Sequence, residues 1–319
     1  MTYKRNNKIS VIILSLIAFI LITTVYMKYK NPEQDSHRRF GVTYMTMNNP
    51  FYEVINNELR KIIENNGDQL MTLDPALDIN KQNEQINYFI EQNVDGIFVN
   101  PIDAKKIEPA LKKAKKAKIP VIVVDAPVQN DELVLCTIVS DNYDAGVQCA
   151  NDMMKRMDSA RIILLKHSTA QSAKDRIDGF LDTIKNHSKY QVIDEAECEG
   201  QLELAMPVMS EMLKETHNVD VIMALNDPSA LGALAAIEAA QKKDVLVYGV
   251  DGTPDLKSLI NQSHLIGGTV AQSPIQIGKT AAKNMYDYLE GKEIEKNIII
   301  PVTLINTSNI DQYDETGWQ

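Results

Sequence analysis

Apolar residues in this chain fall into short runs separated by amphipathic stretches, and five of the runs end beside a polar side chain. Residues 40–46 lead into Asn49-Pro50-Phe51-Tyr52, 120–124 stop at Asp125, 221–225 at Asn226, 245–250 at Asp251 and 265–271 at Gln272. Runs of this length, rich in Val and Ile and bounded by turn residues, read as buried strands. The intervening spacing predicts helices. Over 50–66, Phe51, Val54, Ile55, Leu59, Ile62 and Ile63 recur at helical intervals, with Asn49 placed to cap and Pro50 in the first turn. Further strands are predicted over 69–73, 95–100, 161–166 and 190–196. Further helices are predicted over 80–92, 104–117, 143–157, 173–186, 202–215, 229–241, 255–261 and 274–289. Such alternation implies parallel strands with helices on both faces. Two arrays of similar size with no long linker between them predict an α/β protein of two doubly wound parallel-sheet lobes facing across a cleft.

The first residues break this pattern. Lys4, Arg5 and Lys8 precede an uncharged run, 9–27, rich in Ile and Leu. That is about the length a helix needs to span a bilayer. The run ends in Thr-Val-Tyr-Met-Lys-Tyr-Lys, without the small-residue exit of a cleaved signal. No cysteine follows it for a lipid anchor. Residues 1–35 are therefore expected to be an uncleaved signal anchor and linker, a single transmembrane helix with the rest of the chain outside the cytoplasm. Basic residues also follow the run, at Lys28, Lys30, Arg38 and Arg39, so the charge rule alone does not fix its orientation.

Composition narrows the partners. At 319 residues the chain is long enough for two cores. A net charge of −10 argues against nucleic acid, which favours a basic face. The lysines between 105 and 118 read as the solvated face of an amphipathic helix. Cys136, Cys149 and Cys198 form no metal-binding spacing and read as small buried hydrophobes. The strand-end turns carry neither GxGxxG nor GxxxxGK[ST], so no nucleotide and no other cofactor is expected.

In open α/β sheets, ligands bind beyond the carboxyl ends of strands. The polar residues there consequently define the candidate chemistry. Carboxylates accept from hydroxyls, amides both donate and accept, and aromatic faces cover C–H surface. That set suits a neutral polyhydroxylated molecule. An Asp or Asn after a strand also serves simply as a helix cap, and Asn49 is placed to do so.

In this order and spacing, the motifs resemble the periplasmic sugar-binding proteins of the ribose-binding type. The resemblance runs from about Phe40 to about Ile305. It is carried by Asn48-Asn49-Pro50-Phe51-Tyr52, Val99-Asn100-Pro101-Ile102-Asp103, Ile119-Pro120-Val121-Ile122 and Ser140-Asp141-Asn142. It continues in Arg176-Ile177-Asp178-Gly179-Phe180, Asn226-Asp227, Val250-Asp251-Gly252-Thr253-Pro254-Asp255 and Ala271-Gln272. The resemblance implies three chain crossings between lobes, near Asp141, Gln272 and Pro301. Lobe one then comprises 36–140 plus 273–300, and lobe two 141–272 plus 301–319. It also implies ligand contacts at Asn49, Phe51, Tyr52, Asp125, Arg176, Asn226, Asp251 and Gln272. Tyr52 has the alternative of facing the hinge. Arg176 would offset the cost of burying two carboxylates.

Two positions depart from the ribose-type pattern. Ala126 stands where that pattern has an arginine, and Gly200 where it has a ring. Both losses are expected to enlarge and neutralise one side of the pocket, favouring another aldose, a larger sugar or a polyol. Glu199 and Gln201 belong to an expected exposed loop, with the alternative of reaching inward to replace lost contacts, and His167 to an expected solvent-facing one, with the alternative of rimming the cleft. The implied partners are a monosaccharide and either an ABC permease or a membrane sensor histidine kinase. A sugar-responsive repressor would need a DNA-binding head where residues 1–35 offer a membrane span. A glycosidase would use Asp125 and Asp251 as its acid pair, but the surrounding Arg and amides fit recognition without a poised acid.

Overall fold

The computed structural model describes residues 15–23, 26, 37–216 and 218–319. The chain divides into Met1–Arg38 and a compact body, Arg39–Gln319. In the first unit residues 15–23 are helical, with Leu16, Ile17, Phe19, Ile20, Leu21 and Ile22 exposed. Among the described residues no helix is long and apolar enough to cross a membrane. The span expected over 9–27 has residues 9–14, 24, 25 and 27 outside the described set, as does most of the linker after it.

The body follows the order β1 (Arg39–Thr43), α1 (Pro50–Asn65), β2 (Gln69–Leu73), α2 (Ile79–Glu91), β3 (Gly96–Val99), α3 (Glu108–Lys116), β4 (Val121–Val124) and β5 (Cys136–Ser140). It continues with α4 (Asn142–Arg156), β6 (Ala160–Lys166), α5 (Gln171–Ile184), β7 (Tyr190–Glu197), α6 (Leu202–Glu215), β8 (Val221–Ala224), α7 (Asp227–Ala239) and β9 (Leu246–Asp251). It ends with α8 (Pro254–Leu259), β10 (Ile266–Ala271), α9 (Pro274–Leu289), β11 (Asn297–Ile300) and β12 (Thr303–Ile305).

These strands form two six-stranded sheets, ordered β11-β5-β4-β3-β1-β2 and β12-β10-β9-β8-β6-β7. Strands β3, β4 and β8 are buried along their whole length, as expected where helices cover both faces. In the first sheet, Ile97 and Val123 pack with Phe89 of α2 and Leu111 of α3. Its other face joins Phe40, Ile122 and Ile138 to Ile277, Ala281 and Met285 of α9. In the second sheet, Ile162 and Val221 meet Cys149 of α4 and Phe180 of α5. All three cysteines are buried and free.

The periodicity does not reveal β5, β11 or β12. β5 carries Cys, Thr and Ser, while β11 and β12 are short edge strands. β12 also corrects the all-parallel expectation, because it runs antiparallel to β10 with Ala271 opposite Thr303. Its direction follows from the path. The chain leaves the first sheet at Ile300 and continues through Pro301 and Val302 directly into the second sheet. A straight crossing between sheets whose carboxyl ends face each other must enter the second one head-on. The predicted helix over 104–117 starts later, at Glu108, with Pro109 in its first turn and 104–107 forming a turn before it.

The chain passes between the sheets three times: from β5 into α4, from β10 into α9, and from β11 into β12. The first and third passages are tied, since Asp141 N–H donates to the Ile300 carbonyl at 2.9 Å. On the second sheet, α4 and α5 pack backbone to backbone. A Cβ at Gly146 would overlap the carbonyl oxygen of Arg176, and one at Gly179 the carbonyl oxygen of Tyr143. This close approach sets the position of Arg176. Gly146→Ala is therefore expected to lower the free energy of unfolding by about 2 kcal/mol, measured by urea titration. An unchanged midpoint and slope would contradict the packing described.

Candidate functional site

All eight residues singled out from the sequence line one hollow of about 480 Å³, counted out to its open mouth. Seven of them follow or end a strand, and Arg176 comes from within α5. Asn49 lies in the loop after β1 and caps α1, its Oδ1 accepting from Phe51 N–H at 2.9 Å. That bond turns α1 so that Phe51 and Tyr52, 2% and 8% exposed, face inward. Tyr52 stacks on Tyr44, with ring centroids 5.8 Å apart, and its hydroxyl donates to Asp125 Oδ2 at 3.4 Å. Tyr52 therefore lines the cavity.

Two carboxylates define the floor. Asp125 follows β4 with φ of 67°, and Asp251 ends β9 with φ of 142°. Backbone of this kind is costly for a side-chain-bearing residue and concentrates at functional sites. Asp125 Oδ2 accepts from Asn100 Nδ2 at 3.0 Å, and Asp251 Oδ1 accepts from Gln272 Nε2 at 2.7 Å. The remaining oxygens, Asp125 Oδ1, Asp251 Oδ2 and Gln272 Oε1, are buried without a hydrogen-bond partner among the described residues. A buried acceptor left unpaired costs about 1–3 kcal/mol, more if charged. Burial raises Asp125, and raises Asp251 well above the ordinary carboxylate value, against the pull of Arg176 in both cases.

Arg176 is held from three sides. Nε donates to Asn142 Oδ1 at 2.8 Å and Nη1 to the Leu225 carbonyl at 2.9 Å, while Nη1 lies 3.6 Å from Asp251 Oδ1. Its short hydrogen bonds thus go to neutral groups. Asn226 caps α7 through Ser229 N–H at 3.0 Å and donates from Nδ2 to the Gly200 carbonyl at 2.9 Å. Behind this layer lies Asp227, fully buried, accepting from Thr253 N–H at 2.7 Å and from Thr269 Oγ1 at 2.6 Å. Burial pushes Asp227 up to about 6.

Several expectations change. His167, expected at the solvent, is 8% exposed and lines the cavity, and burial lowers its imidazole below the ordinary value. Glu199, Gly200 and Gln201, expected as an exposed loop, form part of the wall, with Glu199 itself solvent-exposed at the mouth. Gly200 has φ of 71°, and a Cβ there would come within 3.0 Å of Asn226 Nδ2. Only glycine fits that conformation and contact comfortably. Ala126 is buried and does not reach the wall. The groups bonded to Asp125 are the uncharged Asn100 and Tyr52, with the Arg176 charge acting on it from further away.

Other supporting residues carry weaker sequence signals. Asn100 follows β3 just as the chosen residues follow their strands, so the same rule would have found it. Trp318 has no such signal. It packs edge-on against Phe51, centroids 5.8 Å apart, from a tail pinned by the buried Lys257. The Lys257 ammonium donates to the carbonyls of Asp314 and Gly317.

Residues 40–293 match the periplasmic binding protein domain, and the chain belongs to that family. The ribose import binding protein of Bacillus subtilis (strain 168) is 29% identical over 300 residues, 92% of this chain and 97% of that one. Its counterpart in Escherichia coli (strain K12) is 30% identical over 262 residues, 82% of this chain and 88% of that one. Among solved structures, the periplasmic binding protein component of the arabinose ABC transporter from Shewanella sp. ANA-3, bound to alpha and beta-L-arabinofuranose, matches with a TM-score of 0.81. It is 27% identical and covers 86% of this chain and 93% of that one. Within the family, the chain stands with the ribose-binding type, as its motifs implied.

The buried acids give a pH signature to the unliganded protein. Asp227 holds its proton more tightly folded than unfolded. Its contribution to stability is full below the ordinary value of 3.8 and is lost as pH rises through about 6. Asp125 and Asp251 act in the same direction, whereas His167, lowered by burial, loses its contribution as pH falls. Comparison with Asp227→Asn isolates one group. The wild-type-minus-variant difference in unfolding free energy is expected to fall by on the order of 3 kcal/mol from about pH 4 to about pH 7. Urea titrations across that range measure it, and a difference independent of pH contradicts the assignment.

Proposed function

We propose that this chain is an extracytoplasmic binding protein that closes on a monosaccharide or related polyol and delivers it to an ABC-type importer. One observation carries the reading: three buried acceptor oxygens, on Asp125, Asp251 and Gln272, lack partners and line a single cavity between two sheets. Hydroxyl donors from one bound molecule would satisfy all three. Relatives described as ribose import binding proteins, and a structural neighbour described as part of an arabinose ABC transporter, support the import role.

In this reading residues 36–140 with 273–300 form lobe one, and 141–272 with 301–319 form lobe two. Lobe one supplies Asn49, Phe51, Tyr52 and Asp125. Lobe two supplies Arg176, Asn226 and Asp251, with Gln272 at the hinge. Each lobe alone meets part of the ligand, so the ligand binds the closed arrangement preferentially and shifts the population towards it. The hydrogen bond from Asn48 Nδ2 to Glu203 Oε1, between the approach to α1 and the start of α6, supports a closed form locked outside the ligand. The uncharged run 9–27 would tether the protein to the membrane, a reading supported by the exposed apolar side chains of the helix over 15–23.

Calorimetric titration with pentoses, hexoses and cyclitols tests the site. At least one should bind near the micromolar range, about 8 kcal/mol. Arg176→Ala should remove the binding heat while circular dichroism shows a folded protein. Emission from Trp318, the sole tryptophan, should shift on binding because it touches Phe51. Unchanged affinity in Arg176→Ala would place the ligand elsewhere.

A further inference from the structure

The cavity and its wall hold more buried carboxyl groups than cationic side chains to pair with them. Asp125, Asp227 and Asp251 are 2%, 0% and 2% exposed, and the buried guanidinium among them is that of Arg176, 4% exposed. Lys257, the other buried cation, gives its ammonium to the Asp314 and Gly317 carbonyls. His167 is held towards its neutral form by burial, and Glu199 adds an acid at the mouth. Asp227 is satisfied by Thr253 and Thr269, behind the cavity wall. Asp125 and Asp251 are not: each turns an unpartnered oxygen into the cavity, and Gln272 adds a third acceptor. The nearest cationic atom to Asp251, Arg176 Nη1, is an ion-pair neighbour at 3.6 Å, while Arg176 donates hydrogen bonds to Asn142 and Leu225. No cationic side chain among the described residues hydrogen-bonds to Asp125; its bonded neighbours are Asn100 and Tyr52.

We propose that the preferred ligand brings the missing charge itself: a polyhydroxylated ring or chain bearing a protonated amine, an amino sugar or aminocyclitol, with its ammonium set against the unpartnered oxygens of Asp125 and Asp251. An ammonium has three donors and no acceptor, and the orphaned atoms are all acceptors. A hydroxyl at the same position supplies one donor and leaves the two carboxylates uncompensated. A buried carboxylate must then either keep a proton or find a cation. Asp251 faces Arg176 from α5, Asp227 from α7 and Asp125 from the end of β4, and two of these three neighbours are acids. A cationic ligand lets Asp251 ionise in place. The remaining hydroxyls would meet Asn49, Asn226 and Gln272 as in the reading above, on which this inference rests.

Matched pairs differing at one substituent test the idea: glucose with glucosamine, galactose with galactosamine, and scyllo-inositol with its monoamine. Each is titrated calorimetrically into the purified full chain at a series of pH values. In at least one pair the amine should bind about tenfold tighter or more. That ratio should grow as pH rises, because Asp251 gives up its proton while the amine stays charged. In Asp251→Asn the amine should lose more affinity than its hydroxyl partner, so the ratio falls about tenfold. Hydroxyl members binding as tightly as the amines, with a ratio unmoved by Asp251→Asn, overturn the inference and leave the sugar-site reading standing. Failure of every member of every pair to bind overturns that reading and the inference together.

Discussion

Unpaired acceptor oxygens at the meeting of two sheets are the constraint on which this structure turns. Asp125, Asp251 and Gln272 each bring a buried oxygen that no protein donor among the described residues satisfies. Burying such atoms opposes folding. The chain accepts that cost at three places around one hollow and invests in holding them there. Asn100 fixes Asp125, Gln272 fixes one oxygen of Asp251, and positive φ angles at both acids aim them inward. A bound donor-rich molecule would recover the penalty, so stability and affinity draw on the same atoms.

The surrounding architecture serves that arrangement. Strands end beside polar residues that face the hollow, and two of these, Asn49 and Asn226, also cap the helix that follows. Asn49 and Asn226 illustrate the economy, since one amide oxygen holds a helix amide while the other end of the side chain serves the wall or its lining loop. Gly146 and Gly179 let α4 and α5 approach closely enough to bring Arg176 under Asp251. The tail after β12 returns through Lys257 to set Trp318 against Phe51, joining material from the second sheet to an aromatic wall carried by the first.

Much of this was legible in the sequence because it follows local rules. Buried strands announce themselves as Val- and Ile-rich runs, and a polar residue at the carboxyl end of such a run marks the cleft. That rule pointed to Asn49, Phe51, Tyr52, Asp125, Asn226, Asp251 and Gln272, the family resemblance added Arg176, and the fold gathers all eight around one cavity. What escaped notice depends on contacts between distant segments. The position of β12 follows from a crossing direction, which no window of sequence records. His167 sits on a polar loop and reads as solvent-facing, yet α5 and the 199–201 loop close over it.

A crystal structure of the protein saturated with its tightest-binding sugar or amino sugar tests the central claim most directly. The account predicts one ligand between the carboxyl ends of β4 and β9, with its polar atoms within hydrogen-bond distance, about 2.5–3.2 Å, of Asp125 Oδ1, Asp251 Oδ2 and Gln272 Oε1. A ligand bound elsewhere on the molecule, with those three oxygens still unpaired or bridged only by water, would contradict it.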